Sequence, residues 1–357
     1  MDTKTGTMQT GYTESSVLKQ KTLIFIALVL LLILAFFLDI FLGSVRFNAS
    51  EVLRAVFNNP DSETGTIILK FRLPKAITAT FVGIALSLSG LQMQTLFRNP
   101  LAGPYVLGVS SGASLGVAIV VLGFSGLFTS GNLQGAGNWI LVVSAWIGAG
   151  AVMMLILFVS SRIRDIMTIL ILGIMLASGI SAVVSIMQYF SNETMLKAYV
   201  IWTMGSLGNL SAGQLRVLVF SVLIGILLSI ASIKMLNALL LGENYASSIG
   251  LNVKLSRILI FTCTSILAGS VTAFCGPIGF IGIAVPHIAR NIFRTSDHMI
   301  LVPGSLLIGG IVMLASDLIS QLPGTESMLP VNSVTSLIGI PVIIWIILRN
   351  KRISGIF

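Results

Sequence analysis

Between Arg98 and Arg162 the chain runs for more than sixty residues without one Asp, Glu, Lys or Arg. A soluble fold cannot accommodate such a stretch, because its surface needs about a quarter of its residues charged. Hydrocarbon is the solvent that accepts it. The rest of the chain agrees, with 55% hydrophobic and 9% charged residues among 357 and a mean hydropathy of +1.00. Apolar segments fall at 22–42, 78–97, 105–124, 139–160, 166–190, 217–235, 258–275, 278–293, 300–320 and 334–348. Lipid offers no partner to an open strand edge, so all are predicted helical. The expected fold is an all-α, polytopic membrane bundle of about ten transmembrane helices. Residues 1–21 form an N-terminal segment, 22–352 one membrane domain and 353–357 a short tail. The eighth segment is short and interrupted by Pro286, which predicts a half-length helix buried among its neighbours. The first, at about twenty residues, exceeds a signal-peptide core and is read as a retained span.

Charge sets the expected orientation. With ten crossings and an inside N-terminus, fourteen of the Lys and Arg residues fall inside and seven outside, which predicts both termini in the cytoplasm. Five of the seven outside residues, Arg46, Arg54, Lys70, Arg72 and Lys75, share the single loop 43–77. The net charge of +9 comes from residues flanking apolar segments and not from a long basic run, so no nucleic-acid partner is expected. Lipid is.

The chemistry of catalysis is missing. Two histidines, His287 and His298, have no metal-protease spacing, and Cys263 and Cys275 lie in apolar stretches, so neither a metal site nor a cofactor is expected. No Gly-Lys dipeptide occurs, which excludes a P-loop, so ATP-driven work would need a separate subunit. The alternative is an ion-coupled secondary transporter, which needs ionisable groups at membrane depth. The only carboxylates the candidate spans hold are Asp39 and Asp317, both near span ends.

Small residues repeat through the spans: Gly108, Gly112 and Gly116 every four, Gly276, Gly279 and Gly282 every three, and Gly83 with Ser87. Such stripes predict close helix packing where no hydrophobic effect drives association. A short echo, Leu96-Phe97-Arg98-Asn99 against Asn291-Ile292-Phe293-Arg294, ends two spans in the same manner.

Polar and helix-breaking residues interrupt apolar sequence in three organised places: Arg72-Leu73-Pro74-Lys75 with Arg98-Asn99-Pro100-Leu101-Ala102, then Trp202-Thr203-Met204-Gly205-Ser206-Leu207, then Gly242-Glu243-Asn244-Tyr245-Ala246-Ser247-Ser248-Ile249-Gly250 with Gly276-Pro277-Ile278-Gly279-Phe280-Ile281-Gly282 and Pro286-His287-Ile288-Ala289-Arg290. In that order, over about residues 22–352, they resemble the permease subunits of FecCD-type ABC importers, which move iron-siderophore complexes, haem and cobalamin. The resemblance implies a two-fold permease dimer in the bacterial cytoplasmic membrane, formed with a second copy or a paralogue. It implies two copies of a cytoplasmic ATPase and a soluble or lipid-anchored binding protein as partners. Ferric siderophore is the first cargo expected, with cobalamin and haem beside it.

Residue roles follow from the same likeness. The loop Lys234–Arg257, two short amphipathic helices hinged on glycine, resembles the element that an ATPase receives, which assigns ATPase coupling to Gly242, Glu243, Ala246 and Gly250. A connector lying on lipid headgroups is the other reading. Arg72 and Lys75 match a basic pair that docks acidic side chains of the binding protein; equally, they could snorkel beside a helix entry at Pro74. Relatives carry a basic residue near the position of Gln321, so this chain would dock with fewer charges. Ser178, Ser181 and Ser185, three and four apart on one helical face, with Met187 and Gln188, are expected to line the translocation pathway, or to serve helix packing.

Overall fold

The computed structural model describes residues 8–43, 60, 62–123, 137–163, 165–321 and 328–353. Among them there are thirteen α-helices and no strand. The order is α1 (Met8–Phe41), α2 (Glu63–Leu96), α3 (Val109–Ala118), α4 (Gly137–Ser160), α5 (Ile166–Tyr189), α6 (Glu193–Thr203), α7 (Ala212–Ala231), α8 (Ile233–Leu240), α9 (Glu243–Ser248), α10 (Val253–Cys275), α11 (Ile281–Phe293), α12 (His298–Ser320) and α13 (Val331–Ile353). Seven of these are long and apolar enough to cross a membrane, and Val109–Gly123 and Val331–Trp345 are shorter apolar helices. The eighth expected span is α11, thirteen residues with Pro286 inside, as its length and proline implied.

The second expected span, 78–97, starts too late. Helix continues unbroken from Glu63, through a π-helical turn at Ile68–Arg72, into Leu73–Leu96. Proline lacks an N–H and crowds the carbonyl four residues back, so a helix that carries one must yield locally. The wider turn just before Pro74 is where α2 yields. It also leaves Arg72 and Lys75 on a helix that runs on past them, correcting the helix-entry reading of Pro74.

Eighteen residues of Leu73–Leu96 are buried, whereas α5 buries only Ile169, Gly173 and Val184. Helix α2 is therefore the axis of the bundle, packed by α10, α11 and α12, and α5 lies at its margin. The small-residue stripes make the contacts. A Cβ on Gly90 would sit 1.7 Å from the Gly282 carbonyl oxygen of α11, and one on Gly148 would sit 2.0 Å from that of Gly112, so α2–α11 and α3–α4 meet backbone to backbone. The echoing Phe-Arg pairs end α2 and α11 alike: Arg98 and Arg294 both take φ 48°. Left-handed backbone costs a non-glycine residue about 1–2 kcal/mol, so both turns are held by what surrounds them.

Candidate functional site

The sequence motifs interlock. His287 Nε2 lies 2.8 Å from the Pro100 carbonyl oxygen, and Arg290 donates to Gln94 Oε1 at 2.6 Å, joining the Pro-His segment to Arg98-Asn99-Pro100. His287 is thus a buried histidine on a backbone carbonyl. At the other end of the bundle, Ser206 N–H donates to the Cys275 carbonyl at 2.8 Å and Gly279 N–H to Asn332 Oδ1 at 3.0 Å, joining the Trp202–Leu207 and Gly276–Gly282 segments. Among the described residues no group of three or more His, Cys, Asp or Glu could hold a metal.

Three sets of candidate residues fall in three places. The first is the end of the bundle where α1 and α12 finish and α2 begins. Lys75 Nζ lies 3.0 Å from Asp317 Oδ1, and the Asp317 side chain is fully buried. Gln321 Nε2 donates to Asp317 Oδ2 at 3.0 Å and to Asp39 Oδ1 at 3.1 Å. Arg72 Nη1 donates to the carbonyls of Ile40 and Phe41 at 2.9 and 3.2 Å. The basic pair is therefore engaged inward, with a carboxylate pair that the sequence reading left without partners. Gln321 is the neutral donor that joins the two acids at one site. Beside this cluster lies a cavity of about 540 Å³ lined by Arg72, Lys75, Met204, Asn209, Gln321 and Leu329. Of the other members of the basic loop, Lys70 lies in the π-helical turn, and Arg46 and Arg54 lie outside the described residues.

The second set is on α5. Ser178, Ser181 and Ser185 share an exposed face, as their spacing predicts. Ser178 and Ser185 donate their protons to the carbonyls of Ile174 and Ser181 at 3.0 and 2.9 Å. Those hydroxyls present lone pairs outward. Ser181, Ser185 and Gln188 line a 220 Å³ cavity with Ser110, Ser114 and Thr203. The Ser110, Ser111 and Ser114 side of that cavity was missed by the sequence reading, although their hydroxyls are as evident in the sequence as those of α5. Met187 does not join them. It packs half-buried against the apolar core and is not among the residues lining this cavity.

The third set is at the opposite end, on α8 and α9. Gly242, at φ 106°, and Gly250, at φ 89°, bracket α9 in conformations that other residues rarely adopt. Between them α9 has an inward and an outward face. Ala246 is fully buried and Glu243 turns inward, with Arg257 Nε donating to Oε1 at 2.9 Å and Arg257 Nη2 to Oε2. The outward surface consists of Leu241, Asn244, Tyr245, Ser248 and Ile249, with Tyr245 50% and Ile249 57% exposed. Helix α8 is anchored separately. Asn237 Nδ2 donates to Asp297 Oδ1 at 2.7 Å, and Asn237 Oδ1 lies 2.8 Å from His298 Nδ1. Arg98 Nη2 donates to the Leu240 carbonyl at 3.4 Å. The Asp297 carboxylate lies outside the span and is held below the usual range by the Met299 N–H and the Asn237 amide.

Seven helices long and apolar enough to cross a membrane, joined through small-residue contacts, make this a multi-pass membrane protein. Comparison gives the particular kind. The chain belongs to the FecCD transport family, which matches residues 31–349. It is 35% identical over 335 residues to the hemin transport system permease protein HmuU of Yersinia pestis, covering 91% of this chain and 95% of that one. It is 37% identical over 288 residues to the vitamin B12 import system permease protein BtuC of Salmonella typhi, covering 80% and 84%. A solved structure described as an inward-facing metal-chelate type ABC transporter superposes with a TM-score of 0.79 at 26% identity, covering 91% of this chain and 99% of that one.

Proposed function

We propose that this chain is the permease subunit of a binding-protein-dependent ABC importer for a bulky metal chelate. Two copies, or one copy and a paralogue, form the passage, with α5 at the two-fold axis and both termini in the cytoplasm of a bacterial cell. The observation that carries the reading is α9. A six-residue helix bracketed by Gly242 and Gly250, buried on one side and presenting Tyr245 and Ile249 on the other, has the form of an element received in a partner's groove. That partner is a cytoplasmic ATPase in two copies, and nucleotide-driven closure of its dimer displaces α9. Gly242 and Gly250 hinge the element, Ala246 and Glu243 seat it on the permease, and Tyr245 and Ile249 enter the ATPase.

At the other end Arg72 and Lys75 receive acidic side chains of the binding protein, with the 540 Å³ cavity beside them as the seat. Both basic groups are already engaged, so docking competes with the internal partners, and it weakens as salt rises. Ferric siderophore is the cargo we assign, haem and cobalamin being the competitors that the relatives' names raise. Ser178, Ser181, Ser185 and Gln188 offer neutral hydroxyl and amide groups to it, suited to a passage that must not hold its load.

The deciding experiment reconstitutes the chain with its ATPase in vesicles and adds binding protein loaded in turn with ferric siderophore, haem or cobalamin. Uptake that requires ATP and binding protein, and is greatest with the ferric siderophore, is expected. Uptake without the ATPase that collapses when the proton gradient is dissipated would establish the ion-coupled alternative instead.

A further inference from the structure

The helix that meets the ATPase and the helix that bears the pathway hydroxyls do not need to touch if a single side chain joins them. Arg257, near the start of α10, is 5% exposed. Its guanidinium grips Glu243, the first residue of α9, through both carboxylate oxygens, and its Nη1 donates to the Ile163 carbonyl at 3.4 Å. Ile163 lies in the corner between α4 and α5, two residues before Asp165. Asp165 caps α5, accepting from the Met167 and Thr168 N–H groups at 3.2 and 2.9 Å and from the Thr168 hydroxyl at 2.6 Å. The Thr168 hydroxyl, then its N–H, hold the Asp165 carboxyl below its ordinary range, and the Arg257 charge adds to this.

We propose that Arg257 is the positioning residue that delivers displacement of α9 to the α4–α5 corner, and so to the hydroxyl face of α5. The inference rests on the preceding reading that an ATPase moves α9. Three observations give it direction. Helix α8 is fastened elsewhere, to α12 through Asn237 and His298 and to the end of α2 through Arg98, so α8 is held while α9 turns about Gly242. Within one subunit α5 buries three residues where α2 buries eighteen in its Leu73–Leu96 portion, so few contacts inside the subunit oppose a shift of α5. A cavity of about 840 Å³, lined by Ser160, Arg162, Asp165, Asn244 and Lys254 as well as the pair itself, leaves room for the corner to move. A bidentate arginine–carboxylate pair transmits orientation as well as distance, which a lysine point charge does not.

The test uses the complex with its ATPase in vesicles and reads cargo moved per ATP hydrolysed. Arg257→Gln and Glu243→Gln should each lower that ratio about tenfold or more, within the usual range of coupling energies. The exchanged pair, Glu243→Arg with Arg257→Glu, should recover most of it, and Arg257→Lys, which keeps the charge and loses the fork, should fall between. Wild-type coupling in Arg257→Gln, or an exchanged pair as poor as either single variant, overturns the proposal. Should Arg257→Gln not assemble, Arg257→Lys decides, since full coupling there means that the fork is not used. Failure of the wild-type complex to move cargo on ATP sinks the importer reading itself and is seen before any variant is made.

Discussion

Lys75 shows what one buried pair demands. The Asp317 side chain is fully buried at the edge of the 540 Å³ cavity, and its oxygens face Lys75 and Gln321. Removing one partner of such a pair leaves an uncompensated charge and costs about 3–5 kcal/mol, whereas removing both can be neutral. Lys75→Met should therefore lower the thermal stability of the detergent-purified protein sharply, and Lys75→Met with Asp317→Leu should restore most of it. Equal losses in the single and the double variant would show that the pair does not carry its own compensation. The same pairing changes how docking must be probed: a charge reversal at Lys75 places two carboxylates face to face, so a lost association mixes docking with misfolding. The sequence made Lys75 visible as an excess charge on one side. It could not show Asp39 and Gln321, 282 residues apart, meeting at 3.1 Å, because nothing local records a contact at that separation.

At the scale of elements, most of what was legible came from spacing and least from facing. Three serines at intervals of three and four on α5 did share one exposed face, and the glycine stripes did mark where helices touch. Gly90→Ala should accordingly cost at least about 2 kcal/mol, because its new methyl meets the Gly282 backbone and not a side chain that can turn away. Gly150→Ala, whose new methyl would meet no atom within 4 Å, should be tolerated, and melting curves of the two variants make the comparison. Helix α9 is where spacing misleads. The Gly-Glu-x-x-Ala pattern places the element, yet Glu243 and Ala246 turn inward and the exposed side chains are Tyr245 and Ile249 beside them. Six residues make fewer than two turns, too little sequence for periodicity to tell a buried face from an offered one. Likewise Arg257 was legible only as one inside charge among fourteen. Its meaning lies in Glu243, fourteen residues back, and in a backbone carbonyl of another helix pair.

Across the described residues, the charged side chains collect at the two ends and small residues join the helices between them. Buried α2 spans both: from Glu63 to Leu96 it is 34 residues, about 51 Å at 1.5 Å per residue, longer than the roughly 30 Å of hydrocarbon. Events at the Arg72 end and the Arg98 end are thus registered on one continuous helix, with which α5 makes little contact inside the subunit.

The junction of Asp39, Gln321 and Asp317 also has a history in time. Chains are made from the N-terminus, so α1 and its carboxylate enter the bilayer while the residues that will receive it are still unmade. For most of synthesis Asp39 is an acid without its final donor, a costly state in hydrocarbon. Nascent chains ending before residue 317 should therefore hold α1 loosely and be cleared quickly by membrane proteases. Asp39→Leu should prolong the survival of such truncated chains while weakening the finished one. Pulse-chase lifetimes of the two lengths test this, and equal lifetimes for truncated wild type and truncated Asp39→Leu would refute it. The buried acid that locks the first helix to the last third of the chain thereby acts as a mark of incompleteness until the chain is whole.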